Sequence, residues 1–276
     1  MMRIGIIGSG TASTQLPAAL GKQAETQGIE AVLVNPRLST FARSAYERLV
    51  VDIGYVDAMQ AAAEQKCDII FINSFADYGI DAARAVLMQP IIGAGEATLA
   101  AASAQGTRPF SIVTVWPASM RFLYEERLRA TGLSHLCCSI RHVSTEEELL
   151  RLGEENGVMA RMASFDEAII TTLQRECVAA IEEDGALAIA LGCTCMAPIG
   201  EILVARCSFP IFEATYIGLL AASFKGHLSV SSTMKNANQQ TISYRTQLIP
   251  EIVSAWQARN VDDSTMIGID CPSCIK

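Results

Sequence analysis

Short apolar runs, each closed by small or polar residues, alternate along this chain with stretches whose apolar positions return every three or four residues. The first pattern reads as a buried strand and the second as a helix with one face against a core. Residues 3–7, 31–34, 68–74 and 90–92 are strands on this criterion, with helices over 41–65, 80–87 and 95–104. Gly54 is expected to interrupt the long helix. Gly106-Thr107-Arg108-Pro109 then breaks the pattern. The series starts again with strands over 110–115, 135–142, 186–191 and 209–212, and helices over 118–130, 199–205 and 215–224. Capping signatures at 144–147 and 164–167 open two more helices. The second of these carries Ile169, Leu173, Cys177 and Ile181 at every fourth position and is stopped by Gly185. A last helix is expected over 247–257.

The two series match one another, so the chain contains a repeat. Aligning Ser74 with Cys193 sets Ile69-Ile70-Phe71-Ile72 on Leu187-Ala188-Ile189-Ala190, give or take one position. Pro90-Ile91-Ile92 then falls near Pro210-Ile211-Phe212, and Glu96-Ala97-Thr98 near Glu213-Ala214-Thr215. Upstream, residues 3–13 match 109–119, with Ser13 on Ser119. The fold class this predicts is α/β: two similar Rossmann-like lobes with mainly parallel sheets, related by a pseudo-twofold axis. Lobe 1 is expected over residues 1–107, completed by about 214–276, and lobe 2 over 108–213. The active site is expected in the cleft between the lobes, with Ser74 and Cys193 on opposite sides of a bound ligand.

Composition narrows the possible partners. Half of the 276 residues are hydrophobic, yet no apolar stretch is long enough to span a bilayer, because Pro90, Gly93, Gly95 and Glu96 cut the longest candidate. Residues 1–8 lead straight into a strand pattern and do not read as a signal peptide. A net charge of −8, with no basic run, argues against nucleic acid. Nine cysteines scattered through apolar elements fit a reducing compartment rather than a secreted disulfide framework. The expectation is a cytoplasmic protein acting on a small molecule, with neither membrane nor nucleic acid as partner.

A cleft with one acid/base group on each face of a carbon atom suits racemisation without a cofactor. A free thiol titrates near about 8.5, close enough to neutral to serve as a general base once N–H groups or a helix N-terminus favour the thiolate. Cys193 stands at a strand end before a helix and is the candidate for that role. A serine hydroxyl at Ser74 is too weakly acidic without a neighbouring base.

The same residues carry a family likeness. Asn73-Ser74-Phe75-Ala76-Asp77-Tyr78-Gly79-Ile80-Asp81-Ala82-Ala83-Arg84 is similar to a loop of the aspartate/glutamate racemase superfamily, in its hydantoin and allantoin racemase branch. Gly93-Ala94-Gly95-Glu96-Ala97, Phe110 to Thr114, and Leu191-Gly192-Cys193-Thr194-Cys195-Met196-Ala197 resemble three further motifs in order. The resemblance implies a cofactor-independent, homo-oligomeric enzyme with a cysteine in each of the first and last of these motifs. Here the first is Ser74. Three explanations stand: an engineered replacement, a natural one-thiol enzyme such as a decarboxylase or cis–trans isomerase, or a catalytically dead ligand-binding form. The substrate implied is a hydantoin, an allantoin-like ring or an amino acid, presenting a carboxylate or imide carbonyl.

Ser9, Thr11, Thr114, Ser119 and Thr194 lie at strand ends and are candidate donors to that substrate. Asn73 and Phe75, beside Ser74 in the matched loop, join them as candidate binding residues. Gly8-Ser9-Gly10 lacks the third glycine of a dinucleotide fingerprint, since Ser13 stands there, and reads as a tight strand-to-helix turn. Glu96 and Glu213 read as helix-capping acids. Cys195 and the pair Cys137-Cys138 read as packing residues. Cys271-Pro272-Ser273-Cys274 has redox spacing but no strand before a helix, and no metal site is expected from it.

Overall fold

The structure, a computed structural model, describes residues 2–8, 28–38, 40–151, 154, 157–229 and 247–260. It contains two four-stranded sheets with the same strand order. The first comprises β1 (Met2–Ile7), β2 (Ile29–Val34), β3 (Ile69–Ile72) and β4 (Ile91–Gly93), ordered β2-β1-β3-β4. The second comprises β5 (Phe110–Thr114), β6 (Cys137–His142), β7 (Ile189–Leu191) and β8 (Ile211–Phe212), ordered β6-β5-β7-β8. Pairing is parallel, with Ile4 against both Ala31 and Ile69, Ile112 against Ala190, and Ala190 against Phe212. Parallel neighbours need crossover connections. The helices among the described residues are α1 (Ala45–Glu64), α2 (Ile80–Arg84), α3 (Ala94–Ala102), α4 (Arg121–Thr131), α5 (Glu146–Leu150), α6 (Val158–Ala163), α7 (Glu167–Glu182), α8 (Ala197–Arg206), α9 (Ala214–Ser229) and α10 (Leu248–Asn260).

The chain forms two compact units. One takes the residues up to Ile72, then Tyr78–Ile92, then those from Leu220 onward; the other takes Asn73–Asp77 and Gly93–Leu219. The expected breaks at 107 and 213 therefore do not coincide with the unit boundaries. The reason at the first break is packing: α3 lies on α4, β7 and β8, so it belongs with the second sheet. In the first unit, Ile7, Ile70 and Ile72 pack with Val51, Tyr55 and Met59 of α1. In the second, Phe110, Ile112, Ile189, Leu191 and Leu173 are fully buried. No helix among the described residues is long and apolar enough to cross a membrane.

Three local expectations are corrected. Helix α1 runs unbroken through Gly54. A Cβ there would stand 1.8 Å from the carbonyl oxygen of Leu38, so this glycine permits a close approach rather than a break. The caps of α5 and α7 are Thr145 and Asp166, not the serines before them. Thr145 pairs with Glu148, while Asp166 accepts from the N–H groups of Ala168 and Ile169. Finally, Glu96 and Glu213 are not equivalent: α3 begins at Ala94 and α9 at Ala214, which displaces the two acids by three positions. Glu96 reaches back to the N–H of Gly93, whereas Glu213 stands before α9 and accepts from Thr215 and Tyr216. Both nevertheless cap, as expected.

Candidate active site

Strand β7 delivers Cys193 through a single glycine. The Gly192 N–H still donates to Val113 O at 2.9 Å, continuing the sheet ladder. A Cβ on Gly192 would lie 2.9 Å from each of Ile112, Thr114 and Tyr124, so a side chain there would displace the loop. Cys193 itself is extended, with φ −153° and ψ 138°, and precedes a 3-10 turn over Thr194–Met196 that leads into α8. Its sulfur receives the backbone N–H of Cys195 at 3.1 Å. Cys193 and Cys195 are joined by a disulfide. Cys195 is therefore a covalent partner of the candidate catalytic sulfur, where the sequence suggested only packing. Neither sulfur titrates in this form, so acid/base chemistry at Cys193 belongs to the reduced pair.

The loop after β3 is held to the loop after β7. Thr194 Oγ1 donates to Asn73 O at 3.1 Å, and Thr215 Oγ1 donates to Asn73 Oδ1 at 3.0 Å. These contacts, on the residues adjacent to Ser74 and Cys193, lie within the second unit. Asn73 and Thr194 thus spend hydrogen-bonding capacity on joining the loops. Ser74 is half-buried, and its carbonyl accepts the Asp77 N–H at 3.1 Å. Phe75 is buried and packs on Tyr124, ring centroids 5.6 Å apart. The Tyr124 hydroxyl in turn shares a 2.6 Å hydrogen bond with Thr114 Oγ1, and burial raises the phenol's pKa, keeping it protonated. His142, beside Thr114 in the sheet register, points Nδ1 at Trp116 O at 2.9 Å. A carbonyl only accepts, so Nδ1 carries the proton, and burial lowers the ring's pKa toward the neutral form. Its Nε2 is buried and has no hydrogen-bond partner among the described residues.

Asp77 was not singled out from the sequence, and it anchors this loop. It is fully buried, and its two carboxyl oxygens accept the N–H groups of Gly95 and Glu96 at 2.8 Å each, at the start of α3. Arg127 Nη1 is 3.8 Å away. Burial, reinforced by the nearby charge of Glu96, raises its pKa to about 7 despite these bonds. The glycines of Gly93-Ala94-Gly95 now have a reason. A Cβ on Gly93 would fall 2.3 Å from the Asp77 carboxyl, and one on Gly95 would fall 2.0 Å from Phe75 O. No local signature joins an aspartate to a helix start sixteen or more residues away, which is why sequence reading passed over it.

Ser119 is exposed and gives both its N–H and its hydroxyl to Glu146. Ser9 and Thr11 lie outside the described residues, as do Cys271 and Cys274. Among the described residues, no group of three His, Cys, Asp or Glu side chains is placed to hold a metal ion.

Residues 4–222 match the pattern of the family described as Asp/Glu/Hydantoin racemase. Hydantoin racemase of Pseudomonas sp. (strain NS671) is 26% identical over 253 residues, covering 91% of this chain and 92% of its own. Among solved structures, allantoin racemase from Klebsiella pneumoniae superposes with a TM-score of 0.67 at 23% identity, covering 88% of this chain and 93% of that one. A mutant of arylmalonate decarboxylase superposes with a TM-score of 0.57 at 18% identity, covering 85% and 95%. At these identities the two structures speak for the fold.

Proposed function

The chain belongs to the Asp/Glu/hydantoin racemase family, and from that premise we propose that its reduced form is a cofactor-independent isomerase working through Cys193. The substrate is a small molecule with a carboxylate or imide carbonyl, of the hydantoin, allantoin or amino-acid type. The observation that carries this reading is the position of Cys193. It stands at the end of β7 and at the start of a helical segment, with its neighbour Thr194 bonded to the Ser74 loop. A helix N-terminus favours the thiolate of the reduced form over the thiol. The thiolate takes the proton from the carbon beside the carbonyl, and the electron pair passes into the carbonyl as an enolate. Strand-end N–H groups and hydroxyls stabilise the oxyanion. A proton returned to the opposite face completes inversion; returned from Cys193 to the same face, it gives exchange without inversion.

Ser74 favours a second reading on this same site. A hydroxyl with no neighbouring base serves the opposite face poorly, so a one-thiol decarboxylase or cis–trans isomerase, or a ligand-binding form without turnover, would account for a serine there. Deuterium exchange into the substrate carbon separates these readings. Under dithiothreitol, the isomerase exchanges and inverts, a one-thiol enzyme exchanges without inverting, and a binding protein does neither. Cys193→Ala is expected to lower exchange by about 100-fold or more, the scale of a lost general base. Full turnover in that variant would exclude the mechanism. The reading includes a cytoplasmic, homo-oligomeric enzyme, which keeps the pair reduced in its working compartment.

A further inference from the structure

The bond between Cys193 and Cys195 has no part in the proton transfer just described, yet it consumes the sulfur on which that transfer depends. The two residues are separated by Thr194 alone, and their Cα atoms are 5.2 Å apart, within the range a disulfide accepts. They sit in a turn at the end of β7, both half-buried, and not in the sealed core. We propose that Cys193–Cys195 is a reversible redox modification site, in which a low-molecular-weight disulfide oxidises the pair and switches the enzyme off. This rests on the assignment of Cys193 as the acid/base.

The chemistry balances as thiol–disulfide exchange. The Cys193 thiolate attacks one sulfur of a disulfide R–S–S–R, forming a mixed disulfide and expelling one thiolate, RS⁻. The Cys195 thiolate then attacks Cys193 Sγ, closing the internal bond and expelling the second RS⁻. The cysteine pair loses two electrons and the reagent gains them; the two thiol protons end on the two RSH products. A dithiol in excess reverses both steps. Neighbouring Cys195 captures the mixed disulfide at once, so a foreign group does not remain in the site. The other described cysteines favour this selectivity. Among the described residues, Cys67 and Cys177 are buried and Cys137 is half-buried. Burial raises the pKa of the free thiols among the described residues, Cys67, Cys137, Cys138, Cys177 and Cys207, and holds back their thiolates.

The test uses the full chain equilibrated in glutathione buffers from fully reduced to fully oxidised. Peptide mass mapping follows the linkage, and deuterium exchange on a hydantoin panel follows activity. The expected result is a Cys193–Cys195 linked peptide whose fraction rises as activity is lost, with both reversed by dithiothreitol. Cys195→Ser, measured against its own reduced activity, is expected to accumulate a stable glutathione adduct on Cys193 where the wild type accumulates none. Absence of the linked peptide in oxidised wild type overturns the proposal. So does linked protein that retains its reduced-state activity, and Cys193→Ala then locates the failure. If that variant is inactive, the switch is wrong; if it is fully active, the catalytic assignment is wrong as well.

Discussion

At Asp77, burial and hydrogen bonding pull in opposite directions. Two backbone N–H groups and Arg127 favour the carboxylate, while complete burial and the neighbouring Glu96 favour the acid, and burial prevails at about 7. The consequence is a definite pH dependence. Between the ordinary value of 3.8 and about 7, the folded chain holds a proton that the unfolded chain has released. Stability from this group is therefore greatest below the lower value, falls as pH rises through the window, and levels off above it. The span corresponds to about 4 kcal/mol at most, at about 1.4 kcal/mol per pH unit. Asp77→Asn retains an acceptor but no titration. Urea unfolding at a series of pH values is expected to show the wild type losing stability relative to the variant from about pH 4 to about pH 7. Parallel curves for the two proteins would remove the assignment. Nothing in the sequence announced this residue, because the groups that perturb it come from a helix start and from α4. Cys193, by contrast, was singled out from its strand end, the repeat that pairs it with Ser74 and the motif around it, and Cys195 was read as packing although the structure joins it to Cys193.

The start of α3 shows where pattern reading of an element succeeds and where it stops. The helix and its capping acid Glu96 follow from the sequence within a residue or two of the observed Ala94–Ala102. The glycine at 95 does not, since glycine is a poor helix former and the local preference there is for alanine, by about 1 kcal/mol in a helix interior. The close approach of the Phe75 carbonyl decides the residue instead, at 2.0 Å from a would-be Cβ. Backbone cannot yield as a side-chain tip can, so the clash outweighs the propensity. Gly95→Ala is expected to lower stability by about 2 kcal/mol or more, read as a lower urea midpoint. A rise in the midpoint would mean that the loop relaxes freely and that Asp77 does not hold it. The same limit explains Gly54, which sequence reading took for a break and which the approach of Leu38 requires.

On the scale of the whole molecule, the duplication read from strand patterns reappears as two sheets with one strand order. Apolar strand runs made that legible, since each buried parallel strand writes its own segment of sequence. The allocation of residues 73–77 to the second unit was not legible. It depends on tertiary hydrogen bonds from Thr194 and Thr215 to Asn73, which leave no periodic trace. That allocation bears on the proposed site: Ser74 and Cys193, each two residues beyond its strand, are carried by loops bonded to each other. Ser74 is half-buried and smaller than cysteine by little, so Ser74→Cys adds a titrating thiol with little demand on packing. With a base available for each face of the substrate carbon, inversion of a hydantoin is expected to rise by about 100-fold or more over the parent chain, the contribution of a positioned general acid/base. The assay is polarimetry or chiral chromatography in dithiothreitol, with deuterium incorporation measured alongside. Exchange that rises without inversion would place the new thiol on the same face as Cys193 and sink the two-base arrangement. Inversion that is already fast in the parent and unchanged in the variant would show that Ser74 or a solvent proton serves the second face unaided.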